Sequence, residues 1–253
     1  MPQTVNVGQG PDARQIAVLS REGKAPPVIW LGGFKSDMRS TKAEALDAWA
    51  VRMERAFLRF DYSGHGESGG TFEEGTISRW LEDTLEVLKR FVTGRPILVG
   101  SSMGGWIALL AAQRLLDADP MLAPAGMVLI APAVDFTERL MWDRFPEDIK
   151  RAVEETGVFY RPSAYSEAPY PITKGLIEDG RSHLLFGNPI RTGCPVHILQ
   201  GMEDPDVPWS HALKLVEHLP GDSVSLTLVK DGDHRLSRPE DLERLIAAIE
   251  AIC

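Results

Sequence analysis

The stretch that decides the fold is PILVGSSMGGW, which occupies residues 96–106. Its apolar first part, residues 96–99, predicts a buried strand, and the apolar residues 106–116 predict a helix. The pattern G-x-S-x-G lies between them, with Ser102 at its centre. A strand, a sharp serine-containing turn and a helix in immediate succession predict a nucleophile elbow at the end of a sheet strand.

Ser102 is the predicted nucleophile of this turn. Its backbone would have to adopt a strained conformation that lifts the hydroxyl clear of the sheet, and the glycines at 100 and 104 lie where a Cβ would strike the turn. The alternative, Ser101, stands one residue too early in the turn. The helix that follows would direct free N–H groups at the site, so the N–H of Met103 is predicted to bind an oxyanion.

Short apolar runs alternate with amphipathic stretches along most of the chain. Six runs predict strands, most of them too continuously apolar to have a solvent face: Pro27 to Leu31, Ala56 to Phe60, Pro96 to Val99, Met127 to Ile130, Val196 to Leu199 and Val224 to Val229. Capping boxes at Thr41-x-x-Glu44 and Ser237-x-x-Glu240 predict where two of the intervening helices begin. This alternation predicts an α/β fold, with a mostly parallel sheet flanked by helices and ligands at the carboxyl ends of the strands.

A serine hydroxyl needs a base and a group that orients the base, and both should follow later strands. His234 leaves the strand at 224–229 through a turn-rich loop and is the predicted base. Asp204 follows the strand at 196–199 and is the predicted acid, because it stands three residues past a glycine and gives the chain order serine, aspartate, histidine. Glu203 and Asp206 compete with it. The other five histidines are predicted to be structural or solvated.

A second oxyanion donor is expected in the loop after the first predicted strand, and the N–H of Phe34 in Gly32-Gly33-Phe34-Lys35 is predicted to be that donor.

Residues 64–69 match G-x-G-x-x-G and follow a strand, as a dinucleotide-binding turn would. No helix pattern opens there, so we predict a structural turn in which Asp61 binds backbone N–H groups.

The segment from about Ala133 to Pro189 carries no strand pattern but many aromatic side chains, three of the four tyrosines among them. It predicts a small helical cap inserted into one domain that spans residues 1–253. That length leaves no room for a cofactor domain, and the sequence predicts neither a cofactor nor a bound metal. The net charge of −9, without a basic run, disfavours nucleic-acid partners.

The cysteines Cys194 and Cys253 cannot build a disulfide framework, which fits a reducing compartment. The first twenty residues contain no basic region followed by an apolar stretch, and no apolar run is long enough to span a bilayer. We therefore expect a cytoplasmic location without stable membrane insertion and a small-molecule or acylated substrate. The oligomeric state is not predicted.

The sequence resembles the serine α/β-hydrolases, and more closely the branch that contains the mitochondrial palmitoyl-protein thioesterase, which is also an acyl-glucuronide esterase. The resemblance covers nearly the whole chain. It runs through RFDYSG at 59–64, ILVGSSMGGW at 97–106, the cap residues Gly157-Val158 and Pro162 to Ser166, Cys194-Pro195, Gly201-Met202, Val207 to Trp209 and Asp233 to Arg235. It implies Ser102, Asp204 and His234 as the triad. An Arg-rich transit segment is not found, so the mitochondrial address does not carry over.

These features predict a serine esterase or thioesterase that works through an acyl-enzyme. Carbon–carbon bond hydrolases and cofactor-free haloperoxidases use the same triad and remain alternatives, as does a non-catalytic ligand receptor on the same fold. Dehalogenases and epoxide hydrolases place an aspartate at the elbow, so Ser102 argues against them.

Overall fold

The computed structural model describes residues 2–162 and 169–252. Its strands are β1 (Gln3–Val7), β2 (Arg14–Arg21), β3 (Lys24–Leu31), β4 (Arg55–Phe60), β5 (Ile97–Ser101), β6 (Gly126–Ile130), β7 (Val158–Arg161), β8 (Tyr170–Thr173), β9 (Val196–Gly201) and β10 (Val224–Val229). Eight of them form one sheet in the order β1-β2-β4-β3-β5-β6-β9-β10, and β7 pairs with β8. From β4 to β10 the neighbours in the large sheet are parallel, whereas β1 and β2 are antiparallel additions.

The helices are α1 (Thr41–Met53), α2 (Ile77–Phe91), α3 (Met103–Ala118), α4 (Glu147–Thr156), α5 (Lys174–Arg181), α6 (Trp209–Glu217) and α7 (Pro239–Glu250). Two apolar clusters lie on opposite faces of the sheet. One contains Trp80 of α2 and Trp106 of α3, and the other contains Trp49 of α1 and Ile249 of α7. Helices on both faces of a mostly parallel sheet confirm the predicted fold class.

All six predicted strands are present, but the sequence did not predict β1 and β2. In β1 and in the second half of β2 most side chains are exposed or half-buried, so these segments lack the continuous apolar run of the central strands. Both lie at the antiparallel side of the sheet, away from the elbow. Missing them therefore left the predicted site unchanged.

Both capping-box predictions are wrong. Helix α1 has Ser40 at its N-cap, and the Glu44 carboxylate accepts a hydrogen bond from Arg59 at 2.7 Å instead of closing a box. Helix α7 begins one residue later than predicted, and there Asp241 accepts the N–H of Arg238 at 3.3 Å. In α1 an arginine distant in sequence binds the carboxylate that the spacing assigned to the box, whereas in α7 the N-cap residue Arg238 itself binds Asp241 and the box lies one residue later.

The segment between β6 and β9 is not purely helical. It contains α4, α5 and a π-helical turn at Thr137–Met141, but also β7 and β8, so the prediction of a segment without strands is wrong. Asp135 at its start accepts the N–H groups of Leu185 and Phe186 near its end, at 2.7 and 2.9 Å. This carboxylate therefore fastens both ends of the segment together. Tyr165 and the quoted residues 163–166 lie outside the described residues.

No helix within residues 2–162 or 169–252 is long and apolar enough to cross a membrane.

Candidate active site

Ser102 lies between β5 and α3 with φ 54° and ψ −116°, a conformation that L-residues rarely adopt. Its N–H donates to Ile130 O at 2.8 Å, and its carbonyl accepts the N–H of Ala133 at 3.1 Å, so β6 and the residues after it hold the turn. A Cβ on Gly104 would collide with the carbonyl oxygens of Leu31 and Gly32. The elbow therefore needs glycine there and brings the end of β3 against the nucleophile.

His234 links the nucleophile to an acid. Its Nε2 is 3.1 Å from Ser102 Oγ, and its Nδ1 is 2.8 Å from Asp204 Oδ2. Since an ionised carboxylate only accepts, Nδ1 carries the proton and Nε2 offers its lone pair to the serine hydroxyl. Loops after β5, β9 and β10 thus bring the three predicted residues together at the carboxyl end of the sheet.

The Asp204 side chain is fully buried, whereas that of His234 is 16% exposed. Asp204 Oδ1 accepts the N–H groups of Asp206 and Val207, both at 2.8 Å, and Gln200 Nε2 lies 3.2 Å from Asp204 Oδ2. These hydrogen bonds fix the orientation of the Asp204 carboxylate. The sequence prediction did not single out Gln200, although a glutamine inside an apolar strand was a visible signal.

The competing acids, Glu203 and Asp206, make other contacts. Glu203 is exposed, and its own N–H donates to Gly232 O at 2.9 Å. Asp206 forms an ion pair with Arg161 of β7 at 3.6 Å. This pair connects the 133–189 segment to the loop at residues 201–207 that carries Asp204, the acid loop. The structure therefore pairs His234 with Asp204 and leaves Asp206 beside that pair.

The loop after β3 approaches the nucleophile closely. A Cβ built on Gly33 would lie 3.5 Å from Ser102 Cβ. The N–H of Phe34 has no acceptor among the described residues, and Met103 is the first residue of α3, so its N–H has no partner within the helix. Both predicted oxyanion donors thus belong to backbone segments at the elbow.

Aromatic side chains hold Phe34 in place. Its ring makes edge contacts with Phe72 at 4.9 Å, Phe136 at 5.7 Å and Tyr170 at 6.0 Å between centroids. Phe136 and Tyr170 belong to the 133–189 segment, so this segment packs directly against the loop after β3, residues 32–35, which we call the oxyanion loop. Such edge-to-face contacts add to the free energy of apolar burial.

His65 supports the same loop from below. Its Nε2 accepts the N–H of Lys35 at 3.1 Å, and its Nδ1 donates to Ser63 O at 3.1 Å. Burial lowers the pKa of His65 to about 4, so the ring is neutral and can accept. Lys35 has φ 60°, and this hydrogen bond helps to hold its left-handed conformation. The sequence predicted a structural histidine here but not its contact with the oxyanion loop.

The remaining four histidines bind structural groups. Their partners are Ser78 Oγ for His183, Thr227 Oγ1 for His197, Val134 O for His211 and Lys214 O for His218. The prediction that they are structural or solvated agrees with these contacts.

One group of possible metal ligands coincides with the site. Single ligand atoms of Asp204, Asp206 and His234 lie within 4.8 Å of one another. Both ring nitrogens of His234 already contact Asp204 and Ser102, so a metal on the imidazole would break one of these hydrogen bonds. The donor set therefore fits a proton relay better than a metal centre, and the absence of a metal stays a prediction.

The glycine-rich turn at 64–69 is structural, as predicted. Asp61 accepts the N–H groups of Met38 at 2.6 Å and Glu67 at 2.7 Å. Ser68 Oγ donates to Asp61 O at 2.6 Å. No helix begins at these glycines, so the turn lacks the N-terminal dipole that a dinucleotide phosphate needs.

The chain is similar to known hydrolases over most of its length. Residues 29–247 match the alpha/beta hydrolase family. The mitochondrial palmitoyl-protein thioesterase ABHD10 of Homo sapiens is 35% identical over 241 residues, which cover 95% of this chain and 77% of that protein.

Two solved structures are similar over their whole length. A putative hydrolase from Agrobacterium vitis has a TM-score of 0.97 and 54% identity, covering 100% of this chain and 98% of that one. The mouse alpha/beta hydrolase domain-containing protein 10 has a TM-score of 0.87 and 32% identity, covering 99% and 98%.

Proposed function

The chain belongs to the alpha/beta hydrolase family, and from this membership we propose that it is a serine hydrolase of acyl thioesters or carboxylic esters. One observation carries the proposal: the hydrogen-bonded series Ser102 Oγ, His234 Nε2, His234 Nδ1 and Asp204 Oδ2 at a strained elbow. An arrangement of nucleophile, base and orienting acid is what acyl transfer requires.

In the first half-reaction Ser102 Oγ attacks the acyl carbonyl carbon while His234 Nε2 takes the hydroxyl proton. Asp204 holds the Nδ1–H tautomer and stabilises the imidazolium that forms. The N–H groups of Phe34 and Met103 bind the oxyanion of the tetrahedral intermediate. His234 then protonates the leaving thiolate or alkoxide, and the acyl group remains on Ser102.

In the second half-reaction a water molecule takes the place of the leaving group. His234 removes its proton as it attacks the acyl-enzyme, and the same two N–H groups bind the second oxyanion. Collapse of this intermediate returns the proton to Ser102 and releases a carboxylic acid.

More specifically, we propose a palmitoyl-protein thioesterase-like activity and, beside it, an acyl-glucuronide esterase-like activity. The first is supported by the 35% identity to the human thioesterase. Aromatic side chains of the 133–189 segment contact Phe34 of the oxyanion loop, and Arg161 of the same segment pairs with Asp206; this mixture suits an acyl chain or a glucuronide. We propose that this segment acts as a cap over the acyl group.

Labelling by a fluorophosphonate probe tests the nucleophile. The native chain is expected to react covalently, and Ser102→Ala is expected to remain unlabelled. Ser101→Ala is the matched control, because it changes the neighbouring serine and leaves the hydroxyl of Ser102 in place. Equal labelling of native protein and Ser102→Ala would remove the basis of the proposal.

Substrate preference is tested by kcat/KM for matched acyl thioesters, simple esters and acyl glucuronides over a series of chain lengths. A cap that binds the acyl group predicts values that rise with chain length and then fall. Values independent of chain length would contradict an acyl role for the 133–189 segment.

The proposed location is cytoplasmic, on the sequence evidence of cysteine usage, whereas the thioesterase relatives carry the word mitochondrial in their names. Imaging of the tagged chain in its own cells distinguishes a cytosolic from an organellar distribution. Organellar signal would contradict the cytoplasmic proposal without affecting the proposed chemistry.

A further inference from the structure

Gln200 lies at the end of β9, fully buried, directly beneath the acid loop. Its side-chain Nε2 lies 3.0 Å from Gly201 O, 3.0 Å from Val207 O and 3.2 Å from Asp204 Oδ2. The same Oδ2 binds His234 Nδ1. One amide group therefore touches both ends of the acid loop and the carboxylate oxygen that faces the imidazole.

The orientation of this amide follows from its surroundings. All three neighbours are oxygen acceptors, so the nitrogen and not the oxygen must face them. The oxygen of the same amide, Oε1, is then buried and has no hydrogen-bond partner among the described residues. A buried amide oxygen without a hydrogen-bond partner lowers the stability of the fold. An apolar side chain at position 200 would avoid this loss of stability.

We propose that Gln200 is a positioning residue for the proposed triad: its N–H fixes Asp204 Oδ2 toward His234 and withdraws part of the negative charge that this oxygen presents to the imidazole. The inference rests on the proposed function and goes beyond it, because Gln200 touches neither the substrate nor the nucleophile. It acts through Asp204.

A purely structural role is the competing explanation. By binding the carbonyls of Gly201 and Val207, Gln200 could simply close the acid loop on the end of β9. The two roles differ in one respect, because only a change in the charge of Oδ2 alters the proton affinity of His234. A pH profile therefore separates them.

The charged groups around His234 set the direction of the expected change. Asp204 is bonded to it, Asp206 lies beside the pair, and Arg161 is paired with Asp206. Removing the Gln200 N–H leaves more negative charge on Asp204 Oδ2, which favours the imidazolium. Since only the neutral imidazole can accept the serine proton, the acid limb of the activity profile should move to higher pH.

Two variants of similar size test this direction. In Gln200→Met, which loses the N–H groups, the acid limb should move up by about one pH unit, equivalent to a roughly tenfold slower reaction at a fixed pH on that limb. In Gln200→Glu a carboxylate would face Asp204, so the shift should be larger. His197→Met is the matched control on β9: it removes a hydrogen bond to Thr227 at 3.0 Å and should leave the pH profile unchanged.

The readout is the pseudo-first-order rate of fluorophosphonate labelling from about pH 5 to about pH 9, measured on protein shown by thermal melting to be folded. The first requirement is that the probe labels the native chain and does not label Ser102→Ala. If this requirement is not met, the proposed function itself is rejected. Once it holds, an upward shift in a folded Gln200 variant supports the proposal.

An unchanged or lowered limb in a folded Gln200 variant overturns the proposal. If one variant does not fold, the other decides. If neither folds while His197→Met does, Gln200 is a structural residue and the positioning role is likewise rejected.

Discussion

The structure holds two sets of serine, histidine and aspartate side chains at the carboxyl ends of its strands. The triad, Ser102, Asp204 and His234, is assembled from the loops after β5, β9 and β10. The turn set, Asp61, His65 and Ser68, follows β4 within a single glycine-rich turn. Both contain the residue types of a serine hydrolase, and both lie in loops that contain glycines.

They differ in what their polar atoms contact. In the turn set, Asp61 accepts backbone N–H groups, His65 connects two backbone groups, and Ser68 Oγ binds the backbone of Asp61 and Ala17. In the triad Asp204 also accepts backbone N–H groups, but the three residues are linked to one another by hydrogen bonds from side chain to side chain. Residue type alone does not make a site; a proton can be relayed only where the base touches the nucleophile.

Burial separates the two histidines as well. The side chain of His234 is partly exposed beside the serine hydroxyl, whereas His65 is enclosed by the rings of Tyr62, Phe72 and Trp80. Enclosure lowers the pKa of His65 to about 4 and keeps it neutral. The turn set therefore serves the triad as a scaffold, through the contact between His65 and the oxyanion loop.

Replacing the two serines should give the largest contrast. Ser102→Ala is expected to lower kcat by on the order of 10⁶, because the nucleophile is lost while binding and the oxyanion hole remain. Ser68→Ala breaks hydrogen bonds inside the turn and should mainly lower the melting temperature. Steady-state hydrolysis of an activated ester measures both. A large loss of kcat in folded Ser68→Ala would break the distinction between the two sets.

The aspartates should give the next largest contrast. Asp204→Asn is expected to lower kcat by about 10⁴, because the amide favours the wrong imidazole tautomer. Asp206→Asn, its neighbour in the same loop, should have a far smaller effect, and so should Asp61→Asn in the turn set once its stability loss is allowed for. If Asp206→Asn proved more damaging than Asp204→Asn, the acid would be misassigned.

Glycine substitutions compare the two turns directly. In Gly104→Ala the added methyl group would collide with the carbonyls of Leu31 and Gly32 and displace the oxyanion loop, so kcat should fall by roughly 10² to 10³, as when an oxyanion donor is lost. In Gly69→Ala the nearest atoms, in Gln15, lie 3.5 Å away, so activity should hardly change. Circular dichroism checks that both variants fold. Equal activity of the two would contradict the close approach at the elbow.

Among the substitutions expected to lower activity, His65→Gln should have the smallest effect. His65→Gln should slow turnover by roughly tenfold, because the oxyanion loop is less firmly held. Its clearer signature is in stability. Between its ordinary value of 6.5 and a folded pKa of about 4, the unfolded chain binds a proton at His65 that the folded chain does not. The native protein should therefore lose stability as the pH falls through this range, and His65 contributes roughly 3 kcal/mol to the loss.

Urea denaturation at several pH values measures that loss. His65→Gln should show a shallower fall in unfolding free energy between about pH 6.5 and pH 4. Some fall should remain, because burial also lowers the pKa of His211 to about 4. An identical pH dependence in native protein and His65→Gln would mean that His65 is not held neutral in the folded chain.

Much of the sheet and of the triad could be predicted because the signals are local. The elbow combines strand, glycines and helix within residues 96–116, and chain order places the acid and base on later strands. Contacts between distant loops could not be predicted. Nothing near His65 indicates that it meets Lys35. The contact between Gln200 and Asp204 is local, and the glutamine in an apolar strand was a signal that the prediction did not use.

The two strands of the 133–189 segment escaped prediction for a different reason. Strands β7 and β8 have four residues each, too few for a clear alternation, and they stabilise one another instead of joining the large sheet. The box at α1 failed because Arg59, a tertiary partner, binds the Glu44 carboxylate. The box at α7 forms one residue later than predicted, where the N-cap residue Arg238 binds Asp241.

The most direct test of the distinction between the two sets is to locate the fluorophosphonate adduct by peptide mass spectrometry of the labelled native chain. The triad predicts a single adduct, carried by the peptide that contains Ser102, and an unmodified peptide for Ser68. An adduct on Ser68 or on another residue, with the Ser102 peptide unmodified, would contradict the assignment of the active site.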